Sequence, residues 1–477
     1  GVATRGITDD LGISLTTLSW IVGGYLVAAA ALALMGGRLG DVIGRARTFV
    51  LGIAVFGAGS TIAAVAPSPF VLIVGRVVQG VGAALIMPSS IELLVAHPGP
   101  GGPRPGFRAR GIVYASSFGI GPLIGGILTD YVSWRAIFWL ELGVLVVAGL
   151  LALPLLWKPS RLPRPPTRDF LGAAIVAVIV VVGFLSAFHT QSWGWLSWPN
   201  LATIAVVAAL VGLLLVVESR ARDPLVHPGL LRDRFVQGAN LATIAASIGM
   251  LGLVYFFNLF AQSAAGFDST ATAVAVALVP FTLSMILFAH LSELLSRRLG
   301  YWGPVLAGLG LTILGFVWLA TTTAATTEAG LFLPLVLCGI GAGIANAGLT
   351  GPGVLVEPVS RVDEAAGLLS LSRFVGSAMA IAIGTSTYLS VATRLPKAEM
   401  AASGQGVDKV VMGGSAFRQA LATLRQDLDG PFRAAAKVQT AQAFATTMGV
   451  AAAALTVMTL VSVWLLRPEA PDAGKGD

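Results

Sequence analysis

The chain has 477 residues, 56% of them apolar and only 11% charged, with a mean hydropathy of +0.84; no soluble globular domain has that composition. Its net charge of +7 is dispersed over many turns instead of gathered on one face or tail, which argues against nucleic acid as a partner. The single cysteine, Cys338, lies in an apolar run as a packing residue and excludes an internal disulfide and a cysteine metal cage.

Thirteen apolar stretches are each long enough to cross a bilayer as a helix, which takes about 20 residues. They cover 18–36, 48–66, 70–95, 111–129, 136–157, 170–188, 200–218, 238–260, 270–289, 303–321, 330–350, 367–392 and 441–466. The first is full length and runs at once into a basic turn and a second span, so it is no removable signal peptide. Six alternate gaps (37–47, 96–110, 158–169, 219–236, 291–302, 351–365) hold seventeen Lys and Arg, whereas the five short opposite gaps hold one, Arg135. The positive-inside rule places the six basic gaps, and with them the C-terminus, in the cytoplasm. The long loop at about 393–440 falls on the outer side despite seven basic residues, and its segment "AFRQALATLRQDL" has the period of an amphipathic helix.

Two breaks divide the chain. "KPSRLPRPPTRD" at 158–169 is a proline-rich basic linker, and "ESRARDPLVHPGLLRDRF" at 218–235 mixes charge with proline along the inner face. Residues 1–157 then form an N-terminal bundle with five visible spans. Residues 158–235 hold linkers and two extra spans, and residues 236–477 form a six-span C-terminal bundle. The gap "HTQSWGWLSW" between the extra spans supplies three tryptophans suited to the headgroup level.

Charge within the spans marks candidate sites. The turn "GGRLGDVIGRARTF" at 36–49 carries Arg38, Asp41, Arg45 and Arg47, with Gly37 and Gly44 permitting tight turning and close approach. Arg76 lies inside a span, where a charge costs about 2.5–3.5 kcal/mol on insertion scales and must face the bundle interior. Gln79, Gly80 and Ala83 share its helical face. Ser117, Gly121 and Gly125 recur every four residues, with Pro122 and Gly126 among them, leaving one helix face nearly bare backbone. Glu92 and Glu141 are intramembrane carboxylates and so candidates for proton exchange, although Glu92 is equally placed to reach the inner interface. Arg373 either faces a cavity or stabilises a helix crossing. Asn240, Asn258, Gln262 and Asn346 are polar groups suited to interhelical hydrogen bonds. The four histidines, His97, His189, His227 and His290, are scattered without metal-ligand spacing, so neither a metal site nor a catalytic set is expected.

Gly37, Asp41, Gly44, Arg45 and Arg47 resemble the signature turn of the major facilitator superfamily, G-x-x-x-D-x-x-G-R-x-[RK]. "GRVVQGVGAA" at 75–84 is similar to its fourth-span motif, and "GPLIGG" at 121–126 to its antiporter motif. "SWRAIF" at 133–138, "PLVHPGLLRDRF" and "LSRFVG" at 371–376 resemble the 14-span drug:proton antiporter branch. "VATRGITDDLG" at 2–12 looks like the stretch closing that branch's first span, so that span, with its coupling carboxylate, is expected to be absent from this sequence. The resemblance implies an all-α fold of two pseudo-symmetric six-helix bundles plus two central spans. It also implies proton-coupled export of amphipathic or cationic small molecules by alternating access. It gives the turn at 37–47 a gating role, with Asp41 docking at the helix start near Ala366 and Gly367, and assigns Arg76 a part in proton transfer. Where the branch has asparagine, this chain has Glu141, which becomes the leading coupling candidate.

The expectation is therefore a monomeric multi-pass carrier in a bacterial cytoplasmic membrane, with a small-molecule substrate, protons and the bilayer as partners. It needs no cofactor beyond the proton gradient. A carrier of some other small molecule, a non-transporting fragment and a membrane enzyme are the alternatives.

Overall fold

The computed structural model describes residues 3–96, 104–157, 170–193, 197–221, 224, 228–263, 265–300, 302–349, 362–392 and 431–466; every regular element among them is helical. A short helix, α1 (Thr4–Leu11), stops at Gly12 with φ 64°. Helix α2 (Leu15–Ile43) starts at Ser14, whose Oγ accepts from the Thr17 amide at 3.2 Å. Gly44 alone, at φ 95°, separates α2 from α3 (Arg45–Ala64). Helices α4 (Pro69–Ala96), α5 (Arg104–Tyr131) and α6 (Arg135–Ala152) follow, then the pair α7 (Phe170–Trp193) and α8 (Trp198–Arg220). The second half comprises α9 (Pro228–Arg232), α10 (Arg234–Gln262), α11 (Ala271–Ala277), α12 (Val279–Ala289), α13 (Leu291–Leu299), α14 (Trp302–Leu319), α15 (Phe332–Leu349), α16 (Val362–Ala392) and α17 (Pro431–Leu465).

Among the described residues, 11 helices are long and apolar enough to cross a membrane, and α11 with α12, bent by 41°, makes up to 12. The remaining expected stretch, 111–129, lies within the 28 residues of α5. The linker at 158–169 and residues 393–430, including the amphipathic segment, lie outside the described residues. The last ten residues assigned to the outer loop, 431–440, are instead the first turns of α17.

Helices α2, α3 and α4 pack together, with α6 against α3. A second group, α10, α12, α14, α15, α16 and α17, is built around α10, whose apolar surface is almost wholly buried. Its core holds Phe256, Phe281, Phe316 and Phe444 and takes in Leu26, Ala29 and Ala33 of α2. Between the groups α2 lies along α16, α5 lies along α11 and α12, and α7 leans on both α2 and α16. Helices α6 and α8 are apolar yet largely exposed, through Val144, Val147 and Leu150 on one and Leu201, Ile204 and Leu213 on the other. Continuous apolar surface of this kind is a lipid-facing surface, since monomeric soluble proteins rarely expose patches beyond a few hundred Å².

Candidate functional site

Arg76 and Gln79 stand one turn apart on α4, and three other helices converge on them. The Arg76 Nη1 donates to Gln79 Oε1 at 2.7 Å, its Nε donates to the Ile21 carbonyl at 3.3 Å, and its guanidinium lies 4.6 Å over the Tyr25 ring of α2. Gln79, fully buried, uses both amide hydrogens: Nε2 donates to Glu141 Oε2 of α6 at 2.8 Å and to Ser60 Oγ of α3 at 2.7 Å. Ser60 Oγ in turn donates to Glu141 Oε2 at 3.3 Å. The amide thus links a guanidinium to a carboxylate, oxygen toward the cation and nitrogen toward the anion.

Close backbone approach makes the convergence possible. A Cβ on Gly80 would stand 2.4 Å from the Tyr25 carbonyl, and one on Gly59 would stand 2.5 Å from the Gln79 amide nitrogen. Real Cβ atoms do not come so near, so these two glycines let α4 settle against α2 and α3. A carboxylate oxygen receiving two hydrogen bonds is an acceptor only. A proton added to Oε1 gives Glu141 a donor while Oε2 can still accept from Gln79 and Ser60, so the chain accommodates either protonation state.

The structure describes most of the charged turn. Residues 37–43 are the end of α2, with Gly37 buried in the helix, and Gly44 alone makes the turn. Arg45 is buried and pairs at 3.3 Å with the equally buried Glu92 of α4, binding α3 to α4 within one group of helices. Arg47 is exposed. The Asp41 side chain, expected to dock near Ala366 and Gly367, lies outside the described side chains. Among the described residues, Arg38 reaches α16, standing 4.0 Å from Glu364, and it donates to the Pro224 carbonyl. The sequence signal for Arg38 is a cation one turn inside the end of an apolar helix.

On α5 the small-residue motif splits. Gly126 abuts the other half, where a Cβ would stand 2.7 Å from the Ala271 carbonyl, whereas Gly121 faces open space and Ser117 is exposed. Pro122 sits inside the helix, and the Gly125 carbonyl accepts from Thr129 Oγ1 at 2.6 Å. Four residues beyond Gly126, Asp130 accepts from the amides of Ala271 at 3.2 Å and Thr272 at 2.7 Å, capping α11. Sequence reading missed Asp130, because nothing local marks a carboxylate as the cap of a helix 140 residues on. Arg373 of α16 is nearly buried and lines a small cavity with Arg110, Met87 and Leu349, where α4, α5, α15 and α16 meet. Asn258 and Gln262 of α10 accept from Thr4 Oγ1 of α1, Asn240 accepts from Ser372 Oγ, and Asn346 donates within its own helix to Ala342.

A polytopic helical membrane protein with a guanidinium–amide–carboxylate chain centred on a buried glutamine in one group of helices belongs to the class of membrane carriers. Residues 1–381 match the Major Facilitator Superfamily, and the chain belongs to that family. It is a transporter and not an enzyme. It is 29% identical over 384 residues to the tetracenomycin C resistance and export protein of Streptomyces glaucescens, covering 80% of this chain and 71% of that protein. It is 31% identical over 397 residues to the cephamycin export protein of Amycolatopsis lactamdurans, covering 80% and 79%. A solved POT family peptide transporter in an auto-inhibited state superposes with a TM-score of 0.63 at 16% identity, covering 100% of this chain and 96% of that one, which shows the shared fold.

Proposed function

We propose that the protein is a proton-coupled exporter of amphipathic or cationic small molecules in a bacterial plasma membrane, working as a monomer by alternating access. Relatives named for resistance and export support the direction and the drug-like substrate. The two bundles of residues 1–157 and 236–477 rock about a site at their seam, and the two extra helices of 158–235 accompany them. The observation that carries the coupling is the Arg76–Gln79–Glu141 chain. Glu141 is held directly by a neutral amide and a hydroxyl, with Arg76 one link further along the chain, so a proton gained or lost there is sensed by the guanidinium through Gln79.

The test is dye accumulation in inverted membrane vesicles under an imposed pH gradient. Glu141→Gln should cut gradient-driven uptake at least about tenfold, the scale of a lost coupling step. Downhill counterflow of the same dye should stay within about twofold, since an alternating carrier can exchange substrate without moving a proton. Unchanged gradient-driven uptake in Glu141→Gln removes this carboxylate from the mechanism.

A further inference from the structure

The short helix α9 sits where the two groups of helices meet, at the end that carries Arg38 and Glu364. Its Leu230 is 1% exposed and shares one apolar cluster with Leu34 of α2, Ala173 and Val176 of α7, Val236 of α10 and Leu368 of α16. A leucine on a five-residue helix in a charged linker is buried only if longer elements close around it, and here they come from both groups.

Leu230 is carried by the second group. The Asp233 amide donates to the Gly229 and Leu230 carbonyls at 3.1 and 3.3 Å, and the Asp233 carboxylate accepts from the Phe235 and Val236 amides at 2.7 and 3.2 Å. A hydrogen-bonded turn and a helix cap therefore fix α9 to the start of α10. The socket around Leu230 belongs in part to the first group, through Leu34. Helix α7 completes the socket and is seated on α2 further along: a Cβ on Gly23 would stand 2.5 Å from the Phe184 ring, and Trp20 meets Phe184 and Phe188 at 5.6 and 4.6 Å. Arg38 of α2 also donates to the Pro224 carbonyl of the same linker. A side chain carried by α10 thus enters a socket walled by α2 and α7, and the two groups cannot part at this end without withdrawing it.

We propose that α9 is a latch with Leu230 as its bolt: seated in the socket of α2 and α7, it holds this end of the seam closed, and opening draws it into water. Its apolar surface is buried only on closure, so the bolt favours the closed state of this end without any charge. The inference rests on the alternating-carrier reading for the motion it resists, though seating of Leu230 needs neither gradient nor cargo.

The experiment measures spin-label distances by double electron–electron resonance in the purified full-length protein, with Cys338→Ala as the background. Labels at the exposed Val42 and Leu299 report the α9 end, and labels at the exposed Val65 and Ala325 report the α1 end. Leu230→Ser should raise the open-to-closed ratio at the α9 end about tenfold, the scale set by one buried leucine, and lower it at the α1 end. Leu230→Met keeps volume and apolarity and should stay within about twofold. No change at the α9 end overturns the latch. Widening at both ends together overturns it too, since that is the signature of an ordinary core residue. If Leu230→Ser does not elute as a single species, Leu230→Ala carries the test, with at least about a threefold shift expected at the α9 end and none counting against the latch. A shift of this pattern with no gradient-driven dye uptake by the wild-type protein leaves the latch and removes the coupling. Gradient-driven uptake with distances indifferent to Leu230 does the reverse.

Discussion

Two carboxylates that look alike in the sequence, Glu92 and Glu141, have opposite surroundings. Glu92 is fully buried 3.3 Å from the buried Arg45, so each charge is the other's compensation. Removing one partner of such a pair costs about 3–5 kcal/mol because the survivor is left charged in a medium that cannot solvate it, whereas replacing both with apolar groups is often neutral. Glu92→Leu should therefore lower the thermal unfolding temperature markedly, and adding Arg45→Met should recover most of the loss. If the double variant is as unstable as the single one, the pair is not what holds α3 to α4 there. Glu141 is bound directly by the neutral Gln79 and Ser60, not by a cation, so the same measurement on Glu141→Gln should show a smaller change than Glu92→Leu.

At the scale of elements, glycine position separates contact from resemblance. Gly121 and Gly126 both belong to the "GPLIGG" motif, yet a Cβ on the first meets nothing and on the second would stand 2.7 Å from the Ala271 carbonyl. Gly121→Ala should be neutral or raise stability by up to about 1 kcal/mol through helix propensity. Gly126→Ala should lower stability by about 1–3 kcal/mol, because α5 must back away from α11. Thermal unfolding of the two variants side by side decides it, and equal effects would contradict the packing. Hydropathy and motif order made the spans and the face holding Arg76, Gln79 and Gly80 legible, since burial in lipid and the period of one helix are local properties of a sequence. The partners were not legible. Which helix meets which depends on where bare backbone allows approach, and that brings Ser60, Gln79 and Glu141 together across 81 residues of chain and sends Arg38 to α16.

At the scale of the molecule, the two groups of helices touch at both ends, and the two closures differ in chemistry. The end bearing α1 is joined by Thr4 to Asn258, by Arg5 to Asp268 at 3.0 Å, by Ser19 to Tyr255 and Thr385, and by Asp130 to the amides of α11. Beside them Arg135 and the Trp134 indole hold the Asp10 carboxyl below the usual carboxylate range through hydrogen bonds. A depressed carboxylate stabilises the folded form above its unfolded pKa of about 3.9, and the contribution is lost only as pH falls through the lower folded value. Attachment of α1 to α6 through Asp10 is therefore complete at neutral pH and does not respond there. Asp10→Asn should leave the pH profile of transport between about 6 and 8 unmoved while raising hydrogen exchange in α1, and a displaced profile would give Asp10 a part in proton sensing.

The opposite end is joined by Arg38 to Glu364 and to the Pro224 carbonyl. A carrier that alternates must keep its closures near balance, because about 1 kcal/mol at either end shifts a two-state population about fivefold. Asp130→Asn keeps the shape of the α11 cap but removes the negative charge facing the helix amides, a loss of about 0.3–1 kcal/mol that falls on the α1 end. Arg38→Gln removes the ion pair with Glu364 and loosens the other end. Single-cysteine alkylation from each side of the membrane should then move in opposite directions in the two variants. The two residues lie near opposite ends of the helix groups, Arg38 toward the end of α2 and Asp130 at the cap of α11, so their effects should add and the double variant should return toward the wild-type distribution. Movement of both single variants in the same direction would show that the contacts stabilise one common fold, not two competing closures.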